Sequence, residues 1–229
     1  MDTQSADQIK LRYRSELGGS LGELYHELEN EYYWLQYKWQ EYVVLFGSAP
    51  SRIDLLNQAA PAFFHHLQDV LWDDLLMHLS RLTDGATGKR GRRNLTFAAL
   101  PPLLPRPLRG EVADLVAKAL AAAQFARDWR NRRLAHRDLL LALGQPAEPL
   151  MPASRAAIKD ALVAQHTVIN RVHNHFFHTD IAQEVIEAPM GAEHLLYVLH
   201  EGVTAEAARL ERLRSGSIRA EDLEPPPQL

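Results

Sequence analysis

The chain of 229 residues contains no cysteine. Disulfides, paired-cysteine zinc sites, iron–sulfur clusters and thiol nucleophiles are therefore excluded together. Long hydrophobic runs are also missing, and none approaches the roughly 20 residues that a bilayer span requires. The N-terminal stretch MDTQSADQIKLRYRSEL lacks the apolar core of a secretory signal. A soluble, cytoplasmic protein with no membrane contact is expected. Alternating β-branched stretches are nearly absent, so strands are not expected. Neither GxxxxGKS/T nor GxGxxG occurs, which removes the common phosphate-cradling loops. Positive charge is in deficit, with 25 Lys and Arg against 29 Asp and Glu, a net of −4. That balance argues against a generally basic nucleic-acid-binding protein.

What the chain does have is Leu, Ala, Arg, Glu and Gln, all good helix formers, and an ordinary 46% of hydrophobic residues. An all-α bundle follows. The residues up to Leu17 read as a short amphipathic helix ended by Gly18 and Gly19. Next comes a helix from Ser20 to Phe46, with Ser20 as N-cap, Glu23 three residues on and Gly47 at the C-terminal cap. Its apolar stripe is Leu28, Tyr32, Leu35, Trp39, Tyr42 and Phe46. A further helical region opens near Ser51. Pro61 begins or kinks a long helix to about Leu82, with Phe64, Leu67, Leu71, Leu75 and His78 on one face. TDGATGKRGRRN (83–94) is a basic, glycine-rich loop, read as mobile, and the proline-rich 95–107 is a turn and crossing segment. Helical pattern runs from Pro107 to Leu143, which would span roughly 55 Å unbroken, so a break near Ala121–Gln124 is expected. Ser154 caps a helix to Phe177, and a last helix covers 192–213. The division expected is an extension (1–19), one helical bundle (20–213) and a disordered tail (214–229).

Charge is unevenly spread. Residues 81–137 hold 13 Lys and Arg but four Asp and Glu, a local net of +9 inside an acidic chain. Such a segment suits a local anion site. Within it, Val112, Val116, Ala119, Ala123 and Ala126 form an apolar seam. Continued without a change of phase, the seam lands on Arg130, Arg133 and Arg137. A buried unpaired charge is very costly. Three arrangements would resolve it: a break that resets the helix phase, pairing with acids such as Asp128 or Asp138, or a seam that opens into a polar groove or a subunit interface. On one regular helix Arg130 and His136 would stand about 120° apart, so both could line a groove without gripping one small group together.

RNRRLAHRD (130–138) resembles the signature of the HEPN superfamily, an Arg followed by a polar residue and then a His, here Arg130, Asn131 and His136. LSRLTDGATGKRGRRNLTFAAL (79–100), the AHRD tetrapeptide and AEHLLYVLHEG (192–202) are similar to the abortive-infection U-type branch of bacterial HEPN proteins, over roughly residues 20–210. The resemblance implies a HEPN-like bundle of about five main helices with short flanking helices. It further implies a metal-independent endoribonuclease or related RNA-binding toxin. In such enzymes a ribose 2′-OH attacks the adjacent phosphate, leaving a cyclic phosphate and a free 5′-OH. His136 would serve as general acid or base, Arg130 would hold the scissile phosphate, and Asn131 would orient either. Arg127, Arg132, Arg133 and Arg137, with Lys89, Arg90, Arg92 and Arg93 of the basic loop, would track the RNA backbone. The implied partners are RNA, a second copy in a homodimer with a composite groove, and an antitoxin or regulatory protein. No cofactor and no metal is implied. The alternative is a non-catalytic HEPN module that binds RNA or protein, or only dimerises.

Eleven histidines invite a metal reading, chiefly His173, His175 and His178 near Asp180. On a helix His173 and His175 point about 200° apart, so half-buried polar histidines on an amphipathic helix are the expected role. Glu27, Glu31 and His26 lack the matching Glu-x-x-His of a di-iron bundle. The serines of SGS (215–217) lack a nucleophile-elbow pattern.

Overall fold

A computed structural model describes residues 5–183 and 190–223, apart from the side chains of Ala6 and Lys89. Among these residues all regular structure is helical, and the one isolated β-bridge joins Thr87 to Arg93. Five long helices form the framework: α2 (Gly19–Phe46), α4 (Pro61–Leu82), α5 (Arg106–Ala122), α8 (Arg155–Phe177) and α9 (Ala192–Ser215). Shorter ones are α1 (Ala6–Leu17), α3 (Pro50–Ala59), α6 (Gln124–Trp129) and α7 (Leu139–Ala142). The described helices include none long and apolar enough to cross a membrane.

The chain divides into two compact units. One comprises the stretches Met1–Trp39 and Leu71–Ile186, the other Gln40–Val70 and Glu187–Leu229. The extension–bundle–tail division expected over 1–19, 20–213 and 214–229 cuts the chain at other places. α1 belongs to the first unit, where Tyr13 and Leu17 are buried. Its backbone lies so close to α2 that a Cβ on Gly22 would come within 2.3 Å of the Tyr13 carbonyl oxygen. Only glycine tolerates that approach.

Leu28, Tyr32 and Leu35 of the stripe read from spacing, and Leu75 of the face read on α4, lie in the core of the first unit. Tyr25, Leu28, Tyr32 and Leu35 of α2 are buried, with Leu75, Leu76, Leu79 and Leu82 of α4. Lys38 and Asp74 tie these helices at 2.7 Å. Phe97, Leu100 and Leu104 are buried along two 3-10 turns, Phe97–Ala99 and Pro101–Leu103, where proline forbids a longer helix. α5 packs along α8, and Arg171 grips Glu111 with two charge-assisted bonds of 2.6 and 2.7 Å. Ser154 caps α8, accepting from the Ala157 amide at 3.1 Å. α2 begins at Gly19, so Ser20 sits in its first turn rather than at the cap.

In the second unit α3 packs against α9. Gly191 precedes α9 without a side-chain cap of its own, and Glu41 substitutes by accepting from the Ala192 amide at 2.8 Å. A carboxylate there also suits the positive end of the helix. Beyond α9 the chain folds back in the turn Ala220–Leu223. Asp222 is buried and accepts from Arg212 at 2.9 and 2.5 Å and from the Arg219 amide at 3.0 Å. The segment expected to be a tail from 214 is thus structured to Leu223, and 224–229 lie outside the described residues. Sequence spacing misses this because Asp222 finds its partners through a reversal of the chain.

The Arg212 guanidinium holds the Asp222 carboxyl well below the usual carboxylate range. A depressed folded-state pKa contributes stability that is full above the unfolded value, near 4 for Asp, and is lost as the pH falls below it. Asp222→Asn is therefore expected to lower thermal stability at pH 7, with the difference from wild type shrinking below about pH 4. Thermal denaturation of both proteins from pH 7 to pH 3 measures this.

Candidate functional site

The predicted break falls at Ala123, whose φ of −94° and ψ of 11° end α5 before α6 begins. All five seam residues, Val112, Val116, Ala119, Ala123 and Ala126, are buried. At Arg130 the helix widens into a π turn, Arg130–Leu134, in which the Ala135 amide reaches back five residues to the Arg130 carbonyl at 2.8 Å. The chain then bends at Ala135 and His136, and Asp138 starts α7 by accepting from the Leu140 and Leu141 amides. The 120° fan of a regular helix does not apply, because Arg130 and His136 stand on different local frames. The arginines leave the seam: Arg130 is half-buried, while Arg133 and Arg137 are exposed.

Arg130 is the best-held member of the predicted triad. Its Nη1 donates to Asp84 Oδ2 at 2.5 Å and its Nε to Asn131 Oδ1 at 3.1 Å. Asn131 and His136 are exposed. Asp84 is the one acid in the loop 83–94, which was expected to be mobile and basic. Its backbone is pinned instead. Thr96 Oγ1 donates to the Leu82 and Asp84 carbonyls at 2.9 and 2.6 Å, and Asn94 Nδ2 to Gly85 O at 2.8 Å. The tip carries Arg90 at φ 62° and Gly91 at φ 72°, a left-handed pair that turns the chain. Arg90, Arg92 and Arg93 project into solvent, and the side chain of Lys89 lies outside the described residues.

The other predicted RNA contacts divide by role. Arg127 is used inside the fold: Nη1 donates to Thr83 O and Oγ1 at 3.1 and 3.0 Å, and Nη2 to Leu120 O at 2.6 Å. Burial lowers its pKa, though a guanidinium stays charged. Arg132 binds the carbonyls of Pro149 and Glu148 and lies 3.5 Å from both Asp128 and Asp138, which ties down the loop before α8. Arg133 lies over the Trp129 ring at 4.9 Å. Arg132, Arg133 and Arg137 face Asp73, Asp74 and Asp138 around a cavity of about 700 Å³. Between them, these contacts contain all three resolutions of the seam: a broken helix, ion pairs and a polar cleft. Asp128 and Asp138 pair with Arg132, however, and the acid that pairs with Arg130 is Asp84.

A second cavity, of about 360 Å³, lies beside Asp84. Its lining residue Glu31 meets the buried His78, Nε2 to Oε2, at 2.8 Å. The approach is off the ring N–H direction, so it is not a well-aligned hydrogen bond. Burial, with Lys38 and Arg81 nearby, pushes the His78 pKa down to about 4, so the imidazole is neutral at pH 7. The tempting histidines near Asp180 separate. His173 bonds the Tyr25 and Thr179 hydroxyls, His175 is exposed, and His178 ends α8 in a left-handed conformation. No group of three or more His, Asp or Glu is arranged around one ion among the described residues.

Arg130 and Asn131 thus stand on a widened turn and His136 at the bend after it, within an all-α bundle. A family model described as AbiU2, of the HEPN group, matches residues 19–195, and the chain belongs to that family, the abortive-infection U-type branch. No curated protein and no solved structure matches it.

Arg127 and Arg137 are expected to behave oppositely when changed to Ala. Arg127→Ala leaves buried carbonyls without donors and should cost about 1.5–3 kcal/mol in urea unfolding. Arg137→Ala should change stability by less than about 0.5 kcal/mol, while lowering the salt dependence of any RNA binding by roughly one counterion.

Proposed function

We propose that this chain is a metal-independent endoribonuclease of the abortive-infection type. The observation that carries the reading is the placement of Arg130, Asn131 and His136 on a π turn and bend, with Asn131 and His136 open to solvent. π turns are rare and concentrate at functional sites. Asp84 and Asn131 hold Arg130 by two of its nitrogens. Among the described residues its Nη2 makes no hydrogen bond, and that edge serves a phosphate oxygen. Added charge on the phosphate in the transition state is met by the guanidinium. His136 takes the proton from the 2′-OH or returns one to the leaving 5′-oxygen. A bond forms between the 2′-oxygen and phosphorus while the bond to the 5′-oxygen breaks, giving a cyclic phosphate and a 5′-OH. One histidine performs one of these transfers at a time, and a second copy across a homodimer groove supplies the other. Arg90, Arg92, Arg93, Arg133 and Arg137 are the exposed cations that follow the strand.

A second reading has its own support. Arg130 is already paired with Asp84 at 2.5 Å, which suits a module that binds RNA or protein without turnover.

The test is cleavage of structured RNA in EDTA by wild type, His136→Ala and Arg130→Ala. Both variants are expected to lose about 100-fold or more in rate, with cyclic-phosphate ends on the wild-type products. Equal cleavage by wild type and His136→Ala, or none by any, overturns the nuclease reading. Salt-sensitive binding that survives His136→Ala without cleavage supports the second.

A further inference from the structure

Glu29 of α2 is a buried carboxylate, 5% exposed, that takes no part in the chemistry above. Its one ion-pair contact among the described residues is His173 Nδ1 at 3.9 Å. What surrounds it is a chain of hydroxyls and imidazole. Tyr25 Oη, fully buried, stands 3.4 Å from Glu29 Oε1, 3.4 Å from the Ile169 carbonyl and 3.3 Å from His173 Nδ1. His173 Nε2 stands 3.2 Å from Thr179 Oγ1, in the bend after α8. A hydroxyl has one proton to give, and none of the three neighbours of Tyr25 lies at the roughly 2.7–2.8 Å of a committed O–H bond. The Ile169 carbonyl already serves the α8 ladder. The contest for the Tyr25 proton is therefore between Glu29 and His173.

We propose that Glu29, Tyr25, His173 and Thr179 form a buried proton switch, in which one proton taken up at Glu29 reverses the hydrogen-bond chain and moves the His173 proton from Nδ1 to Nε2. With Glu29 ionised, the carboxylate takes the Tyr25 proton, because a charge-assisted bond is the stronger one. The Tyr25 lone pairs then face His173, so Nδ1 carries the ring proton and Thr179 donates to Nε2. With Glu29 protonated, its O–H donates to Tyr25, Tyr25 donates to a bare Nδ1, and Nε2–H donates to Thr179. Glu29 gains one proton from water, and every other group keeps its number. The titratable and charged groups facing the chain are Arg12 and Tyr13 of α1, His26 and Tyr33 of α2, and Asp180 beyond α8. Burial raises the Glu29 carboxyl above its ordinary value, against Tyr13, Tyr25 and His26, which favour the ion. Burial and Arg12 push His173 down, against Asp180, so the ring is neutral at pH 7 and its tautomer is the variable. The switch reaches α1 through Tyr13, whose ring packs edge-on to Tyr25 at 5.3 Å. At its other end Thr179 adjoins Asp180, which accepts from Asn170 and Asn174 of α8 at 2.9 and 3.1 Å.

The test is long-range ¹H–¹⁵N NMR of the full-length chain with ¹⁵N-labelled histidine, from about pH 5 to about pH 9, with His173→Gln to assign the ring. Wild type is expected to pass from an Nδ1–H ring at the high end to an Nε2–H ring at the low end in one step. Glu29→Gln, whose amide donates as the protonated acid does, is expected to hold Nε2–H throughout. Tyr25→Phe cuts the chain and is expected to abolish the step. One tautomer throughout in wild type overturns the switch. So does direct conversion to the doubly protonated ring, or a step that persists in Glu29→Gln. The wild-type titration decides the matter even where a variant fails to fold, and it stands or falls apart from the RNA chemistry.

Discussion

A guanidinium cannot continue a buried apolar seam without a partner, and the middle of this chain is built around that prohibition. α5 and α6 bury Val112, Val116, Ala119, Ala123 and Ala126 in succession. The next positions of the same seam are arginines. An uncompensated charge there would be more costly than a distorted helix. The helix is distorted instead: it breaks at Ala123, widens at Arg130 and bends at His136. The arginines then find carboxylates, carbonyls, an aromatic face or solvent. The segment that carries the HEPN signature is irregular because its own side chains forbid regularity.

The loop after α4 answers the same need from the other side. Thr96 and Asn94 fix its backbone by side-chain bonds, and Arg127 holds Thr83 at its start. Between these anchors stands Asp84, with its carboxylate against Arg130. Orientation of the motif arginine thus depends on residues some 40 positions earlier in the chain. Two acids that line one cavity divide the arginines between them, Glu31 meeting Arg81 and Asp84 meeting Arg130.

Much of the fold was legible because helix periodicity and punctuation are local. The 4-3 stripe of α2, Pro61 at the start of α4, Ser154 as the cap of α8 and the break near Ala123 all follow from neighbours within a turn or two. Arg130, Asn131 and His136 were legible as a spacing. What spacing does not carry is the partner chosen across the fold. Asp128 and Asp138 lie nearest to Arg130 in sequence, yet Asp84 pairs with it. Arg127 resembles its basic neighbours but spends its donors on Thr83 and Leu120. A signal for Asp84 did exist: a lone carboxylate among the cations of 83–94 had to have some electrostatic use. Asp222, buried among Arg212, Arg209 and Arg219, gave no such hint, because its contacts appear only once the chain has reversed.

The bend between the π turn and α7 has one more implication. In a regular helix the separation of two side chains six residues apart is fixed by the rise of the backbone. Here it is set by the torsions of the bend at Ala135 and His136, which is closed on one side by the Ala135 amide on the Arg130 carbonyl and on the other by the Asp138 amide on the Arg132 carbonyl. The gap between guanidinium and imidazole is therefore the product of two backbone bonds of unusual reach, and a change at either end of the bend moves both side chains against each other.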